Sequence, residues 1–472
     1  MNAVSTLRTL CPKKNTKMPH TLIFDIGKTN KKCFLFNEKY EIVWKEYIRF
    51  EEIKDEDGFP CDDLKAISKW VKKTAKKLVK NDNFDIKYLN FSTYGASFVH
   101  LDKKGQTLCP LYNYLKPYPK KISKAFYQKH GAELAIAQAT ASPPSGMLNS
   151  GLQLYWLKHS RAKIFDNIQY SLHFPQYLSY LFTGIPLSEF TSIGCHTSLW
   201  NYEQKKYHQW VYKENIQQKL APIVRTDTSI NTRIGKKMVT IGIGIHDSSA
   251  ALLPYLSATQ KPFLLLSTGT WSIALNPFSK KLLSKKDLKN DCLNYLLIEG
   301  QAVRASRLFL GNEYNLQLEQ LAKYYKIEKT EFKKINFNAS LFLQLKKDKV
   351  NHFTFESLKV KRKQPNKTNF KSFANHEAAY HQLMIELVNE QIIFAKRAIE
   401  NTRIKKIYID GGFADNDLFI KLLLIHFKQY TIQTTEAPLG SALGAAIVVN
   451  NKKIKNNFLK KQYAMKRQTL GN

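Results

Sequence analysis

Hydrophobic residues follow two periods along the chain, and both halves open with the same succession of elements. Residues 21–27 are an apolar run ending in a Gly-containing turn, which predicts a buried strand followed by a tight connection. Two more short apolar strands follow at hairpin spacing within residues 33–44. A similar run at 262–266 leads through a Ser-Thr-Gly-Thr turn into a predicted strand at 271–275. The pattern therefore indicates two halves that start alike.

Helical periodicity fills most of the intervals between these strands. Residues 62–79 carry apolar side chains at helical spacing with lysines between them, which predicts an amphipathic helix. Residues 174–182 predict a helix that ends at Gly184, and residues 376–399 predict a long one. Residues 97–111 contain two short apolar runs around a Lys-Gly turn and predict a β-hairpin. Together these elements indicate an α/β fold.

Length and composition exclude several classes of protein. The 472 residues suffice for two or three domains, and 43% of them are hydrophobic, which excludes a disordered basic protein. No apolar run approaches the ~20 residues that span a bilayer. The cysteines form no C-x-x-C pair and adjoin no His cluster, which argues against a disulfide framework or zinc site and suggests a reducing cytoplasm. They are Cys11, Cys33, Cys61, Cys109, Cys195 and Cys292.

The net charge of +35, from 73 Lys and Arg against 38 Asp and Glu, has two interpretations. A basic surface neutralises phosphates and would suit a nucleic acid. The lysines, however, are spread over the whole chain, and no helix-turn-helix, zinc-finger or aromatic RNA-binding pattern accompanies them. We therefore expect no specific nucleic acid and no membrane as partner, and a surface field that attracts anionic small molecules. Arg304 and Arg307 stand near a predicted helix start, where they could reach phosphates, but we expect them to be solvated surface arginines.

The turn after the first strand combines a carboxylate with cationic and hydroxyl side chains. Gly27, Lys28 and Thr29 match the end of a Walker A loop, but Leu22 stands where that loop requires Gly. What remains is Asp25 at a strand end, able to hold a hydrated Mg²⁺, and a hairpin that can offer N–H groups and cations to phosphates. An ordinary hairpin with solvated lysines is the alternative at this point.

Three further turns carry groups typical of catalytic or nucleotide sites. His246 and Asp247 stand between a Gly-spaced apolar strand and an Ala-rich helix, where Asp is either a helix N-cap or a general base at a cleft. Residues 267–272 form a hydroxyl-rich turn between strands. Residues 409–416 form a Gly-Gly turn that opens a helix and lets a nucleotide approach the backbone. Each of the last two alone is equally well explained as an ordinary tight turn.

These turns, in this order, resemble the FGGY family of carbohydrate kinases within the actin-like ATPase superfamily. The resemblance runs from about Pro19 to Val449, and His246-Asp247 with residues 93–95 is most similar to the rhamnulokinase and fuculokinase branch. It implies an α/β fold of two actin-like, ribonuclease H-like ATPase domains with an interdomain cleft. Supporting segments that match as well are residues 102–106, 174–184, 189–192 and 438–446.

The resemblance also implies a division of the chain. It predicts an N-terminal extension at 1–18, a sugar-binding domain at 19–255, a nucleotide-binding domain at 256–450 and a basic tail at 451–472. Met18, three residues before the first strand, is the expected natural start. The oligomeric state stays open, with a homodimer as one option.

The implied activity is transfer of the ATP γ-phosphate to a hydroxyl of a ketose in the cytoplasm, with a 6-deoxy-ketose such as L-rhamnulose or L-fuculose as substrate. A xylulose-like sugar or polyol, and a non-catalytic nucleotide- or nucleic-acid-binding protein, remain alternatives. Asp247 would accept the proton, with Gly95, His246 and Ser248 on the ketose and Asp25 organising Mg²⁺. The residues implied to contact ATP are Lys28, Thr29, Asn30, Lys31, Lys32, Thr270 and Gly412.

Overall fold

The computed structural model describes residues 18–95, 97–347, 350–358, 360–435, 440–451, 454 and 458–470, which form two compact units. The first unit contains the described residues within 1–257, 280–303 and 439–455, and the second those within 258–279, 304–438 and 456–472. Two segments that follow the predicted domain boundary, 280–303 and 439–455, thus pack with the first unit. Residues 1–17 of the predicted extension, with Cys11, lie outside the described residues, as do residues 438 and 439 of the matching segment and 452, 453, 455–457, 471 and 472 of the predicted tail.

Strands and helices alternate through most of the described chain. The strands are β1 (Pro19–Ile26), β2 (Lys31–Phe36), β3 (Ile42–Ile48), β4 (Glu52–Lys54), β5 (Pro60–Asp62), β6 (Asp85–Thr93), β7 (Phe98–Leu101), β8 (Tyr170–His173), β9 (Ser188–Glu189), β10 (Trp200–Asn201), β11 (Lys206–Tyr207), β12 (Ile223–Val224), β13 (Ser229–Ile234), β14 (Lys237–Gly242), β15 (Ile245–His246), β16 (Phe263–Thr268), β17 (Ser272–Asn276), β18 (Cys292–Leu296), β19 (Ala302–Leu308), β20 (Lys406–Gly411), β21 (Thr431–Thr434) and β22 (Lys466–Arg467).

The α-helices lie between and after these strands. They are α1 (Leu64–Lys80), α2 (Lys120–His130), α3 (Glu133–Thr140), α4 (Ser150–Ser160), α5 (Ala162–Asn167), α6 (Phe174–Thr183), α7 (Phe190–Ile193), α8 (Gln209–Lys213), α9 (Asp247–Ala258), α10 (Lys285–Lys289), α11 (Leu310–Tyr325), α12 (Lys329–Phe332), α13 (Ala339–Lys347), α14 (His376–Ile399), α15 (Asp417–His426), α16 (Gly440–Asn450) and α17 (Phe458–Gln462). Short 3₁₀ turns occur at Gly146–Leu148, Ile216–Lys219 and Phe370–Ser372.

The main sheet of the first unit runs in the order β13-β14-β6-β1-β2-β3, with β15 beside β6. Strand β1 is antiparallel to β2 and parallel to β6, and β6 is also parallel to β14 and β15. Alternate side chains of β1 face opposite sides of the sheet. Leu22 and Phe24 belong to a core shared with α1 and α6, whereas Thr21 and Asp25 bond to residues of α16. Because both faces are covered, β1 is a continuous apolar run, as parallel strands usually are.

The predicted β-hairpin over residues 97–111 is wrong in its second strand. Strand β7 pairs instead with β8, far along the chain, in the antiparallel register His100 to Ser171. The tight turn after β7 exists, with Gly105 N–H donating to the Asp102 carbonyl at 3.0 Å, but a single bridge from Leu101 to Thr107 continues it. The strand β8 leads directly into α6, and this helix ends at Gly184 as predicted.

The sheet of the second unit contains, in order, β19-β17-β16-β20-β21-β22, with β16 parallel to β20 and antiparallel to β17. The long helix α14 spans the predicted residues, and the Asn375 side chain caps it by accepting from the Ala378 N–H at 2.8 Å. A large apolar core joins this helix to the sheet and to α11 and α15. The strands predicted at 262–266 and 271–275 are confirmed as β16 and β17.

The expectation that Arg304 and Arg307 are solvated is wrong. Both stand on strand β19 and are 2% and 4% exposed. The Arg304 guanidinium donates from Nε to the Arg397 carbonyl at 3.0 Å, and Arg307 lies over the Trp271 ring at 5.4 Å. Aromatic faces and carbonyl oxygens compensate the loss of water around a buried guanidinium, and such long-range partners are not visible in the local sequence.

None of the helices in the described ranges is both long and apolar enough to cross a bilayer.

Candidate active site

Three parallel strands of the first unit end side by side, and the predicted catalytic residues stand at those ends. Ile26 of β1 pairs with Thr93 of β6, and His246 of β15 pairs with the same Thr93. Open α/β sheets bind ligands at the carboxyl ends of their parallel strands. This register therefore brings Asp25 and Asp247 to one edge of one sheet, although most of the unit separates them along the chain.

Asp25 is a carboxylate that is 8% exposed and has polar and charged neighbours. Ser441, at the start of α16, donates to its Oδ1 at 3.0 Å, and Lys32 lies directly opposite in β2. Burial raises the pKa of Asp25; the Lys32 ammonium opposes that rise, and the Asp247 carboxylate adds to it. A divalent cation would stabilise the charged form of such a carboxyl.

Asp25 thus has the chemistry expected of a Mg²⁺ ligand. Mg²⁺ is typically held by one or two carboxylates together with substrate phosphates and several waters. Within the part of the chain that the structure describes, no cluster of three or more His, Cys, Asp and Glu side chains forms a complete metal site. A single buried carboxylate fits an ion that arrives with a nucleotide better than one held by the protein alone.

Asp247 opens helix α9 directly after β15. Its Oδ1 accepts from the Ser248 N–H at 2.5 Å and from the Ser248 hydroxyl at 3.1 Å. About a third of its side chain, 34%, is accessible. Burial of the carboxyl nevertheless raises its pKa to about 6, while the bonds from Ser248 lower it. A carboxyl that ionises near neutral pH and reaches solvent is suited to general-base work.

His246 connects Asp247 to a buried thiol. Its Nε2 lies 3.1 Å from Asp247 Oδ1 and 3.0 Å from Cys195 Sγ, and the same thiol is 3.2 Å from His196 Nε2. Burial lowers the pKa of His246 to about 3, so that the ring is neutral at physiological pH. His246 therefore forms no ion pair with Asp247 but limits how that carboxylate can rotate. Its backbone N–H donates to Thr191 Oγ1 at 3.0 Å.

A small cavity lies beside these residues. Gly95 and His246 line it, and a Cβ on Gly95 would stand 2.3 Å from Cys195 Sγ and 3.0 Å from His246 Cδ2. Only glycine allows this close approach. The remaining lining residues are Thr93, Tyr94, Ser97, His173, Phe174, Pro175 and Ser192. The cavity thus adjoins the predicted base and combines aromatic with polar walls.

Two of the lysines in the β1–β2 hairpin already have carboxylate partners. Lys31 is 2% exposed, and its Nζ donates to Asp62 at 2.6 Å. Lys28 Nζ donates to Asp62 at 2.9 Å and to Glu52 at 2.7 Å. Burial alone would raise the pKa of Asp62, but the two ammonium groups outweigh it and lower that pKa. The predicted contact of Lys28 and Lys31 with ATP would require these ion pairs to open.

The rest of the hairpin is more accessible. Thr29 is exposed, and Lys32 is half-buried opposite Asp25. The Asn30 carbonyl accepts from the Gly27 N–H at 3.0 Å, and its side-chain Oδ1 accepts from Arg49 Nε at 2.8 Å. The turn is therefore held by its own backbone and offers Thr29 and Lys32 to solvent.

In the second unit, the two predicted nucleotide turns are joined by hydrogen bonds. Strands β16 and β20 run parallel, and Thr268 pairs with Gly411 where both strands end. The Gly412 N–H donates to the Thr268 carbonyl at 2.7 Å, and the Phe413 N–H donates to Thr268 Oγ1 at 3.1 Å. The Thr268 hydroxyl in turn donates to the Asp410 carbonyl at 2.6 Å. Residues 267–272 and 409–416 thus form one continuous surface at the edge of this sheet.

Thr270 and Gly412, the residues predicted to contact ATP, are both exposed on these turns. The N-terminus of α11 backs the first turn, since the Gly311 and Asn312 N–H groups donate to the Thr270 carbonyl at 3.1 and 3.2 Å. Phe413 anchors the second turn by packing its ring against Tyr314, at 5.2 Å between centroids. The turns are therefore held rigidly while their outer residues face solvent.

Several residues of the first-unit site were missed by sequence reasoning. Ser441 lies in the Ala-rich segment that supported the family resemblance, so its position was noticed but its contact with Asp25 was not. Cys195 and His173 carried no signal, because folding brings Cys195 to His246 and His173 to the cavity from distant parts of the chain. Asp62 gave no signal either, because it stands at the start of the predicted helix 62–79, where an acidic residue is common.

Comparison with known proteins identifies the family. The N-terminal domain model of the FGGY family of carbohydrate kinases matches residues 20–253, and the model of the carbohydrate kinase FGGY C-terminal domain matches residues 260–457. The chain belongs to the FGGY family of carbohydrate kinases. A rhamnulokinase of Oceanobacillus iheyensis is 23% identical over 265 residues, which are 53% of this chain and 55% of that protein. The chain spans about half the length of the curated relatives that it matches.

Solved structures agree on the fold over nearly the whole FGGY chain. A carbohydrate kinase from Novosphingobium aromaticivorans superimposes with a TM-score of 0.77 at 20% identity, covering 96% of this chain and 94% of that one. A xylulose kinase from Lactobacillus acidophilus gives a TM-score of 0.75 at 14% identity, covering 96% and 93%. At these identities the likeness shows the fold alone. The predicted α/β fold, the two-domain FGGY kinase fold of actin-like type, is confirmed.

Proposed function

We propose that this chain is an ATP-dependent sugar kinase that transfers the γ-phosphate to a hydroxyl of a ketose. The observation that carries the proposal is Asp247, a carboxyl with a pKa of about 6 at the carboxyl ends of parallel strands, 3.1 Å from the ring of His246, which lines a cavity. Asp247 accepts the proton of the sugar hydroxyl as the hydroxyl oxygen attacks the γ-phosphorus. The bond from that phosphorus to the bridging oxygen breaks, and ADP leaves with the electron pair.

The other predicted residues take supporting roles in this proposal. His246, neutral and close to Asp247, orients the carboxylate and contacts the ketose together with Gly95 and Ser248. Thr29, Asn30 and Lys32 of the hairpin, and Thr270 and Gly412 of the second-unit turns, contact the phosphates and nucleotide. Lys28 and Lys31 keep the hairpin in shape through Asp62, and contact ATP as well if their ion pairs open.

Mg²⁺ belongs to the proposal as a companion of ATP. Asp25 would hold it, with Ser441 fixing the carboxylate by its hydrogen bond. When bound, the ion neutralises negative charge on the phosphates. Asp25 also keeps its own charge more readily when a cation is near, since burial raises its pKa in the absence of one.

The substrate that we propose is a 6-deoxy-ketose such as L-rhamnulose or L-fuculose. The similarity to a rhamnulokinase supports it, and so do Phe174 and Pro175, which give the cavity an apolar wall able to accept a methyl group. A xylulose-like sugar is the second candidate, favoured by the structural likeness to a xylulose kinase.

The test measures ADP release in the presence of ATP and Mg²⁺, with L-rhamnulose, L-fuculose, xylulose and glycerol as acceptors. Sugar-dependent turnover is expected, and Asp247→Asn should reduce it by about 10²- to 10⁴-fold, as for loss of a general base. The matched control is Asp82→Asn, at a side chain that is 88% exposed, which should behave as wild type. Turnover that is unchanged in Asp247→Asn would refute the assigned base. Absence of turnover with every acceptor would favour a non-catalytic binding protein.

A further inference from the structure

One cavity-lining side chain has a role in neither the family resemblance nor the reaction above. His173 is the last residue of β8, next to the first residue of α6, and is 3% exposed. Its Nε2 lies 3.1 Å from Ser150 Oγ, and its ring stacks on Phe98 with 4.0 Å between centroids and 25° between planes. Two contacts therefore fix the orientation of the ring. Burial lowers the pKa of His173 to about 3, so the ring stays neutral.

The second ring nitrogen of His173 lacks a hydrogen-bond partner among the residues that the structure describes. A buried polar atom in this state has lost its water without replacement, which is unfavourable and uncommon in folded proteins. His246 Nδ1, on another lining residue, is in the same condition. Two such atoms on residues that line one cavity indicate a ligand that offers hydrogen-bonding groups.

A ligand with hydroxyl groups would supply the missing hydrogen-bond partners better than other small molecules. The nitrogen of His173 donates or accepts according to the tautomer that Ser150 selects, and a hydroxyl can complement either state. A neutral imidazole provides no charge for a carboxylate or phosphate. Phe174 and Pro175 complete the cavity with apolar surface, which suits the carbon face of a sugar.

We propose that His173 is a specificity-determining residue, whose Nδ1 hydrogen-bonds one hydroxyl of the sugar other than the one that is phosphorylated. The proposal rests on the sugar-kinase function proposed above. Because this contact exists before and after phosphoryl transfer, its loss weakens binding of the ketose and leaves the chemical step nearly unchanged.

Two substitutions distinguish the proposed hydrogen bond of His173 Nδ1 from a role of the side chain in packing alone. In Asn the amide occupies the place of the Nδ1 side of imidazole, and in Gln it occupies the place of Nε2. His173→Gln keeps a partner for Ser150 and loses the cavity contact, so we expect KM for the ketose to rise about three- to tenfold, the effect of one neutral hydrogen bond. His173→Asn should stay within about twofold of wild type. KM for ATP and kcat should be unchanged in both.

His100 provides the matched control. It is also buried, bonds through Nδ1 to Ser171 at 2.8 Å and has an Nε2 without a partner among the described residues, yet it does not line the cavity. His100→Asn should therefore leave KM for the ketose unchanged. A rise in KM equal to that of His173→Gln would show that buried histidines of this region act by packing alone, and would overturn the proposal.

A measurement on the wild-type protein covers the case in which His173→Gln does not fold. In ¹⁵N spectra of the histidine rings, saturating ketose should shift the His173 Nδ1 resonance, assigned by its loss in His173→Asn, and leave the His100 resonances in place. An unshifted His173 resonance, or an unchanged KM in folded His173→Gln, overturns the proposal. If wild type turns over no sugar, the sugar-kinase function itself has failed; turnover that depends on Asp247 but not on His173 refutes the specificity role alone.

Discussion

At the scale of single residues, the site of the first unit pairs an ionisable carboxyl with a neutral imidazole. Burial moves the two pKa values in opposite directions, to about 6 for Asp247 and about 3 for His246. Desolvation always disfavours the charged form, which is the anion for the acid and the cation for the base. Asp247 is therefore the group of this pair whose charge changes in the range where an enzyme usually works.

This difference predicts the acid limb of the pH profile. The base must be deprotonated, so kcat/KM for the ketose should fall about tenfold per pH unit below about pH 6, the pKa of Asp247, and stay level above it. Steady-state rates between pH 4.5 and 8.5 would measure the limb. Equilibrium binding of ATP over the same range separates protonation of the nucleotide from that of the enzyme. Rates that stay nearly level down to pH 4.5, as for a carboxyl with the ordinary pKa of 3.8, would contradict a base with a raised pKa.

Sequence reasoning singled out residues at the ends of recognisable strands. Asp25 stands at the end of the first buried strand and Asp247 between a strand and an Ala-rich helix; the structure places both at one edge of the same sheet, and their catalytic roles stay a prediction. Ser441 and Cys195 were not assigned, since their contacts with Asp25 and His246 depend on helix packing that no local pattern encodes. Arg307 was misjudged because a helix start was predicted near it, whereas the segment is the buried strand β19.

At the scale of elements, the two turns that follow β16 and β20 in the second unit pack in close contact. Gly411 has a φ of +88°, and a Cβ there would stand 1.8 Å from the Thr268 carbonyl oxygen. At the next position, Gly412, a Cβ would meet nothing closer than that oxygen at 4.0 Å. The two adjacent glycines therefore differ. Gly411 is required by its backbone conformation and by the close Thr268 carbonyl, whereas Gly412 leaves space in front of the turn for the proposed nucleotide.

The two glycines can be separated by substitution. Gly411→Ala forces the turns apart and should lower the free energy of unfolding by about 1–3 kcal/mol, the usual cost of a strained backbone position. Gly412→Ala should leave the free energy of unfolding unchanged and weaken ATP binding, because its methyl group enters the space proposed for the nucleotide. Urea unfolding and ATP titration measure the two effects. Equal stability losses, or undisturbed ATP binding in Gly412→Ala, would contradict this division of roles.

The local sequence pattern predicted some of the helices and strands correctly and failed for others. The strands and helices with strong periodicity, such as β1, α1 and α14, were predicted almost to the residue. The predicted hairpin at 97–111 failed because a turn between two apolar runs fits many partners, and β8 pairs with β7 from about seventy positions further on. Strand pairing at long range is decided by burial of the whole sheet, which the local alternation does not contain.

At the scale of the whole molecule, the compact units are not continuous stretches of sequence. Residues 280–303 and 439–455 return to the first unit after the chain has entered the second. The second return supplies α16, whose Ser441 supports Asp25. Composition and turn signals suggest only a single boundary between the two units. They do not predict that later segments of the chain pack with the first unit.

The net charge of +35 is also a property of the whole molecule, and it should affect the binding of ATP but not that of the neutral ketose. A positive field attracts ATP and has no effect on a neutral ketose, and salt screens it over about 10 Å at 0.1 M. We therefore expect kcat/KM for ATP to fall several-fold between low salt and about 0.3 M, with kcat/KM for the ketose at saturating ATP unchanged. Initial rates at a series of salt concentrations, with the free Mg²⁺ concentration held constant, would measure both. A parallel fall for both substrates would indicate a general loss of activity, and constancy of both would mean that the charge has no part in recruiting the nucleotide.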